Sequence, residues 1–306
     1  MSYDSTILAE PSLVSYWKLN ETSGSAAADS ANGNPGTYLG GYTLAGAPPG
    51  SLLGGSTLFN GSTGNVQVPT AANLHPTAAL SIEAWVKLTG TDGNHHSILE
   101  AGYTSQTPPY VDYILGINNS NQFKFGLTTA GAELETYSSS LTAGVWYYVV
   151  GTYDGANLKL YINTSLVSTT AKTGAVANNN QLVSIARAYR GGYNSEAFGG
   201  SVSSAALYSD ALTPAQITSH YNASGNPNVR ISQEALLSVG QATPSARVSQ
   251  EGLLTVGQAV PQARVSQEGL LTVGQAVPKA RVSQMRLLLV VPNYISPNAP
   301  KMLAHV

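Results

Sequence analysis

The last third of this chain repeats itself every 17 residues, and that period limits its folding more than any other feature. Arg230, Arg247, Arg264 and Arg281 head four copies of one phrase, and residues 246–261 are identical to residues 263–278 (ARVSQEGLLTVGQAVP). Units this short cannot each bury a core, so they stack on one another or dock on a partner. Each unit divides into an extended half, RVSQEGLLTV, and a turn half, GQAVPQA. In the second unit Val248, Gly252, Leu254 and Val256 share one strand phase, and Gln250 and Leu253 break strict alternation. A single strand of that half would span ~33 Å. Apolar strands in near-identical copies aggregate unless they are paired. The pairing has three simple forms: an antiparallel meander with Pro-containing turns, a solenoid with one coil per repeat, or an extended arm that adds strands to a neighbour. An intertwined homo-oligomer, a trimer for example, uses the same physics. In the fourth copy Met285-Arg286 replaces Glu-Gly and the run Leu287 to Val291 is wholly apolar, as in a terminal repeat that caps or docks.

Upstream, from Ile7 to about Ser224, short strand-like phrases alternate with Gly, Asn, Pro and Ser turns: LVSYWKL, NVQVP, SIEAWVKL, YILGI, QFKFGL, WYYVVGTYD and LKLYINTSLVS. Ile82, Ala84, Val86 and Leu88 fall on one face of a strand and predict a core contact, and Lys159 falls on the solvent side of another. With 31 glycines, 17 tyrosines, only 10% charged residues and no long 3.6-period stretch, the chain is expected to be all-β. One helix start is expected near the end of this zone, with Thr213 as N-cap, Pro214 as first helical residue and Gln216 closing a capping box. The segment NASGNPN then breaks the pattern. The expected division is a β domain over residues 1–224, a linker over 225–229 and the repeats over 230–306.

Lys plus Arg 14 against Asp plus Glu 16 leaves a net charge of −2, without the basic footprint of a nucleic-acid or membrane binder. The absence of cysteine removes disulfides and thiol nucleophiles and suits a reducing compartment. The start, MSYDSTILAEPS, lacks the basic and apolar regions of an export signal, and no apolar run reaches the ~18 residues of a membrane span. Five Asn-x-Ser/Thr sequons, at Asn20, Asn60, Asn118, Asn163 and Asn222, therefore carry little meaning.

Five phrases in order resemble the laminin-G-like jelly-roll domains of the concanavalin A-like lectin/glucanase superfamily. They are LVSYWKLNETSGSAAADSANGNPGTY, STLFNGSTGNVQVP, LSIEAWVKL, LTAGVWYYVVGTYDGANLKLYINTSLV and GSVSSAALYSDALTPAQITSHYN, covering roughly residues 11 to 224. The resemblance implies a jelly-roll sandwich of two antiparallel sheets, here followed by the repeat segment, with ligand loops along a rim. Glucanases of the superfamily carry clustered carboxylates, because retaining hydrolysis needs two about 5 Å apart. Glu83 stands alone in its strand, and Glu133 and Glu135 share a face without the family's motif, so all three read as solvated surface acids and no catalytic residue is assigned.

Relatives often bind calcium, which takes roughly 6 to 8 oxygens. Asp29, Asn32 and Asn34 supply oxygens in a Gly-rich loop and are the candidate calcium ligands. The family's usual acidic pair falls at Ser203-Ser204, and the Asp common in the FNG phrase is Asn60. The competing reading of Asp29 and Asn32 is a structural Asx turn. His95-His96 reads as part of a polar loop, and Asp154 as a hairpin-turn residue before Gly155.

Aromatic faces stack on pyranose rings while nearby polar groups bond the hydroxyls. Two loops carry that chemistry, residues 103–113 (YTSQTPPYVDY) and 188–194 (AYRGGYN), with Tyr103, Tyr110, Tyr189, Arg190 and Tyr193 as candidate carbohydrate-binding residues. A lectin-like head, a repetitive strand-forming tail, no export signal and no enzyme constellation together resemble a bacteriophage virion protein: a tail fibre, baseplate or head decoration. That resemblance implies virion partners, self-association, host-surface glycan as ligand and assembly in the host cytoplasm, with no nucleic acid or membrane bound and no required cofactor. The alternatives are a secreted or surface adhesin module, which would be extracellular, and a structural decoration with no ligand.

Overall fold

The computed structural model describes the backbone of residues 2–51, 53–102, 109–190 and 193–225, with eight further strands beyond them, and the side chains of residues 2–51, 53–102, 109–189 and 196–225. The chain divides into two compact units, Met1–Gly225 and Asn226–Val306.

The first unit is built from two antiparallel sheets. One runs Ser165–Ala171, Asn157–Ile162, Trp146–Tyr153, Leu80–Leu88, Gly199–Tyr208, Ser56–Asn60 and Tyr42–Gly46, and Leu13–Trp17 also pairs with Gly199–Tyr208. The other runs Ala132–Ser140, Gln122–Thr129, Val111–Ile117, His96–Gly102, Val183–Ile185, Asn65–Val68, Gly36–Leu39 and Ala26–Ala27. Hairpin-connected runs, such as the four strands from His96–Gly102 to Ala132–Ser140, are joined by long crossovers, such as Leu80–Leu88 lying between Trp146–Tyr153 and Gly199–Tyr208, as in a jelly roll rather than a simple meander.

Alternation decides what lies between the sheets. Ile82, Ala84, Val86 and Leu88, the face predicted to be apolar, are buried in one cluster with Tyr113, Leu115, Ile117, Phe123, Phe125 and Leu127 of the second sheet. Each Val, Ile, Leu or Phe side chain among them contributes about 1.5–3 kcal/mol by leaving water. At Gly151, paired with Ile82, the two sheets approach closely: a Cβ there would sit 2.1 Å from Phe125 Cδ2. The ring of one sheet packs onto the bare backbone of the other.

The helix Pro214–Ala223 carries the expected cap. Thr213 accepts from the Gln216 N–H at 3.3 Å, and the Gln216 side chain accepts from the Thr213 N–H at 2.9 Å. A second helix, Tyr3–Leu8, was not expected from the sequence. Six residues are too few to show a 3.6-residue period, yet Ser2 caps it and Tyr3 and Ile7, one turn apart, are buried. Both helices pack on the outer face of the first sheet, where Tyr3, Ile7, Ile217 and Tyr221 cover Trp85, Tyr148 and Tyr208.

In the second unit each repeat supplies two short strands, such as Ala246–Val248 and Gly252–Val256, rather than one long strand. The first strands of the four repeats form one parallel sheet and the second strands another. Pairing is in register with the repeat: Arg230 faces Arg247, Arg247 faces Arg264, and Arg264 faces Arg281. Parallel pairing at the repeat offset is the pattern of a solenoid with one coil per repeat and differs from the antiparallel meander.

Gly151→Ala is expected to lower the unfolding free energy of the first unit by about 1–3 kcal/mol, because the added methyl must displace the Phe125 ring. Urea denaturation followed by tryptophan fluorescence measures it, and an unchanged midpoint contradicts the close approach.

Candidate functional site

The Asp/Asn/Gly loop is organised by one carboxylate. Asp29 Oδ1 accepts from the N–H groups of Tyr16 and Ala31 at 2.8 and 2.9 Å, and Oδ2 from those of Asn32 and Asn34 at 3.2 and 2.9 Å. The Asn32 amide donates to the carbonyls of Leu13 and Val14, each at 2.9 Å, and the Asn34 amide donates to Ser15 Oγ at 2.8 Å. The structure thus gathers Asp29, Asn32 and Asn34 as the sequence suggested, but spends them on the loop itself. Four N–H donors occupy the carboxylate, which is the Asx-turn arrangement.

The neighbours that would complete a cation site are committed as well. Ser203 donates to the Gly55 carbonyl at 2.6 Å, and Asn60 Oδ1 accepts three N–H groups, from Ser62, Thr63 and Gly64, at 3.0 Å. Among the described residues no group of three or more His, Cys, Asp or Glu stands together as metal ligands. These donors do not fit a calcium ion.

The outer face of the second sheet gathers more chemistry than the sequence showed. A cross-strand row runs Ser184, Glu100, Ile114, Gly126, Glu135, and Asp112, Lys124 and Glu133 stand two residues along their strands on the same face. Glu100 and Asp112 are fully buried. Asp112 accepts from the Asn179 N–H at 2.8 Å and from its amide, and lies 3.5 Å from His75. Lys124 pairs with Glu135 at 2.8 Å. Burial works against the Glu135 charge, but the Lys124 ammonium and its hydrogen bond hold the carboxyl below its ordinary range.

The two tyrosine-bearing loops meet this face. The Tyr110 N–H donates to Glu133 Oε2 at 2.9 Å, and the Tyr189 N–H donates to Glu100 Oε1 at 3.2 Å. Tyr110 and Tyr189 are both half-buried. Arg190 and Tyr193 pair across the hairpin formed by Ala188–Arg190 and Tyr193–Ser195, but their side chains, and all of Tyr103, lie outside the described residues. Tyr113, at the end of the first loop phrase, belongs to the core and donates to the Leu74 carbonyl at 2.7 Å. What sequence reasoning missed were Glu100 and Asp112. Each is a lone acid in an apolar strand, which is the signal to look for.

Three further readings are settled by contacts. Glu83 is not a solvated acid: it is fully buried on the outer face of the first sheet, beneath both helices. The hydroxyls of Tyr3, Tyr148 and Tyr208 donate to it at 3.3, 2.5 and 3.0 Å, and His220 Nδ1 lies 2.9 Å from it. His220 Nε2 lies 3.0 Å from Glu10. Burial raises the tyrosine hydroxyls well above their ordinary range, and the Glu83 charge adds to it, so they remain donors. Burial alone would lower His220, but the charge of Glu83 and the hydrogen bonds to Glu83 and Glu10 push it up to about 9. His96 is likewise not in a polar loop. It is buried, with Nδ1 2.7 Å from the Ala197 carbonyl and Nε2 2.9 Å from Asp92. Asp154 is the turn residue expected, accepting from the N–H groups of Ala156 and Asn157 and pairing with Lys159.

With this geometry in view, comparison with known families is decisive for the fold. Residues 60–218, just over half of the chain, match the laminin G family described as the concanavalin A-like lectin/glucanases superfamily. The chain belongs to that superfamily. Solved structures of similar fold include Trypanosoma rangeli sialidase in complex with sialic acid, at 16% identity and a TM-score of 0.52 over 72% of this chain and 36% of that one. The binding domain of Paraclostridial mosquitocidal protein 1 matches at 12% identity and a TM-score of 0.55 over 71% of this chain and 53% of that one. The receptor binding domain of a botulinum neurotoxin C/D mosaic serotype matches at 15% identity and a TM-score of 0.50, over 71% and 55%. This chain therefore spans between about a third and about half of these neighbours. No curated protein matches it.

The folded-state value of His220 lies above its ordinary 6.5, so its contribution is complete below about pH 6.5 and is lost as pH rises through about 9. Thermal melting across that range is expected to show a loss of about 3 kcal/mol, and His220→Gln is expected to melt lower and without that slope. Asp29→Ala, which strands four N–H groups, is expected to cost about 2 kcal/mol. Adding calcium or EDTA is expected to leave the wild-type melting temperature unchanged.

Proposed function

We propose that the first unit is a non-enzymatic, glycan-binding lectin-like domain and that the repeats anchor or assemble it. The observation that carries this reading is the convergence of both tyrosine-bearing loops on one sheet face, each held by a carboxylate. Half-buried rings beside fixed polar groups suit a pyranose, whose apolar face stacks and whose hydroxyls need directed partners. The carboxylates of that face are engaged by N–H and ammonium donors, an arrangement that favours recognition over hydrolysis. Two of the fold neighbours are, by their descriptions, the binding domain of a mosquitocidal protein and the receptor binding domain of a neurotoxin.

The finer reading is a displayed virion component, a bacteriophage tail fibre, baseplate or head decoration. It adds that the glycan is on the host surface and that the partners are other virion proteins and further copies of this chain. Its support is the repeat pattern itself, a parallel stack whose terminal strands pair on one side only among the described strands, the arrangement to which a neighbour's strand can add.

Glycan-array binding by the full chain tests the lectin reading. Wild type is expected to bind a restricted set of glycans without calcium, and Tyr189→Ala and Tyr110→Ala are each expected to weaken binding up to about tenfold, the value of one stacking contact. Absence of binding by the wild type refutes it. Light scattering on the full chain and on residues 1–225 separates the assembly role, which requires the larger species to depend on the repeats.

A further inference from the structure

The helices close only part of the first sheet's outer face. They cover the rows of Glu83 and Trp85, where Trp85 stacks on Tyr221 at 5.4 Å. The next row lies beyond them and runs across five strands: Thr43, Leu58, Ser201, Lys87 and Trp146. Directly paired residues share a face, so these side chains form one stripe. Thr43 is exposed, Leu58 is 40% exposed, and Lys87 and Trp146 are half-buried. Leu58 and Thr43 also line a cleft of about 350 Å³ with Gly41, Asn60, Thr89 and Gly199.

Lys87 is the unusual member. Among the described lysines, Lys18, Lys124 and Lys159 pair with carboxylates and Lys172 donates to a carbonyl. The Lys87 ammonium instead rests 5.3 Å from the centre of the Trp146 ring, and no acid stands in its row. A ring face attracts the cation and holds it in place without neutralising it. The stripe thus presents one ammonium with no carboxylate partner among the described residues, the exposed hydroxyl of Thr43 and an apolar patch at Leu58, with Ser201 buried between them. Lys87 and Leu58 lie two strand widths apart, about 10 Å.

We propose that this stripe is a second carbohydrate site, on the sheet opposite the tyrosine loops, that takes an acidic oligosaccharide. Lys87 receives the sugar carboxylate, and the ring beyond it runs across the strands towards Leu58, Thr43 and the cleft. Trp146 is a positioning residue, acting through the lysine. A single ammonium beside an apolar patch matches one carboxylate per ring. A polyphosphate demands several cations, and no second lysine or described arginine joins the row. The site stands apart from the tyrosine-loop reading and survives its failure.

The tryptophans provide the test. Trp17 and Trp85 are fully buried, so acrylamide quenching of the full chain's fluorescence reports Trp146. Trigalacturonate and sialyllactose are titrated against the methyl ester of trigalacturonate and lactose. At least one acid is expected to protect Trp146, with the matching neutral sugar about tenfold weaker or worse, the cost of losing a charged hydrogen bond. Lys87→Gln is expected to lose the preference for acid, Lys87→Arg to restore most of it, and Tyr189→Ala to leave it intact. Failure of both acids to bind overturns the proposal. So does equal binding of acid and neutral sugar, or protection of Trp146 by self-association without sugar, read by light scattering.

Discussion

One buried carboxylate fixes the architecture of the first sheet's outer face. Glu83 has no exposure, and a lone charge in that position is untenable unless every lone pair is met. Its donors come from four places: Tyr3 on the first helix, Tyr148 and Tyr208 on the flanking strands, and His220 on the last helix. Both helices are therefore held to one point on the sheet, and His220 extends the hold to Glu10, just beyond the first helix. Removing one partner of such a buried pair costs about 3–5 kcal/mol, whereas each helix alone is far too short to persist in water. The carboxylate decides where the helices sit, and hence which rows they cover and which, at Lys87, they leave open.

Much of the sandwich was legible because its signals are local. The alternation of Ile82, Ala84, Val86 and Leu88 names the inner face of the central strand, and Thr213, Pro214 and Gln216 name the start of the last helix. The opposite phase of the same strand misleads. Ser81, Glu83, Trp85 and Lys87 look like a solvent face, and the polar-outside rule holds only if nothing covers it. What covers it comes from residues 3–8 and 214–223, and no property of the strand announces them. Trp85 was the hint, since a large ring beside a carboxylate suits a second buried layer better than water.

The candidate site shows the same division. Composition alone picked out the two tyrosine loops, because Tyr, Gly, Pro and Arg together suit a binding loop. That they meet one face depends on strand order, with His96–Gly102 lying between Val111–Ile117 and Val183–Ile185. Order of that kind is set by long-range pairing that a single sequence does not print. In the repeats the period was plain but the pairing was not. Gln250 broke the alternation expected of one long strand and falls between two short ones, Ala246–Val248 and Gly252–Val256, whereas Leu253, the other break, lies inside the second.

Charge economy ties the two units together. Only 10% of residues are charged, and most described acids are consumed by turns, tyrosines, histidines or lysines inside the first unit. A surface of that kind has little field with which to steer a ligand from a distance, so on the proposed reading recognition rests on short-range stacking and single polar contacts. Contacts of that sort bind sugars weakly one at a time. Multiplying copies raises the effective concentration and gains on the order of a hundred- to ten-thousand-fold in avidity without any new contact. On the proposed reading, a sparse-charge lectin-like head and a segment that stacks identical residues in register are complementary parts. On the same reading, assembly of several chains through the repeats supplies by copy number the affinity that one head's chemistry lacks.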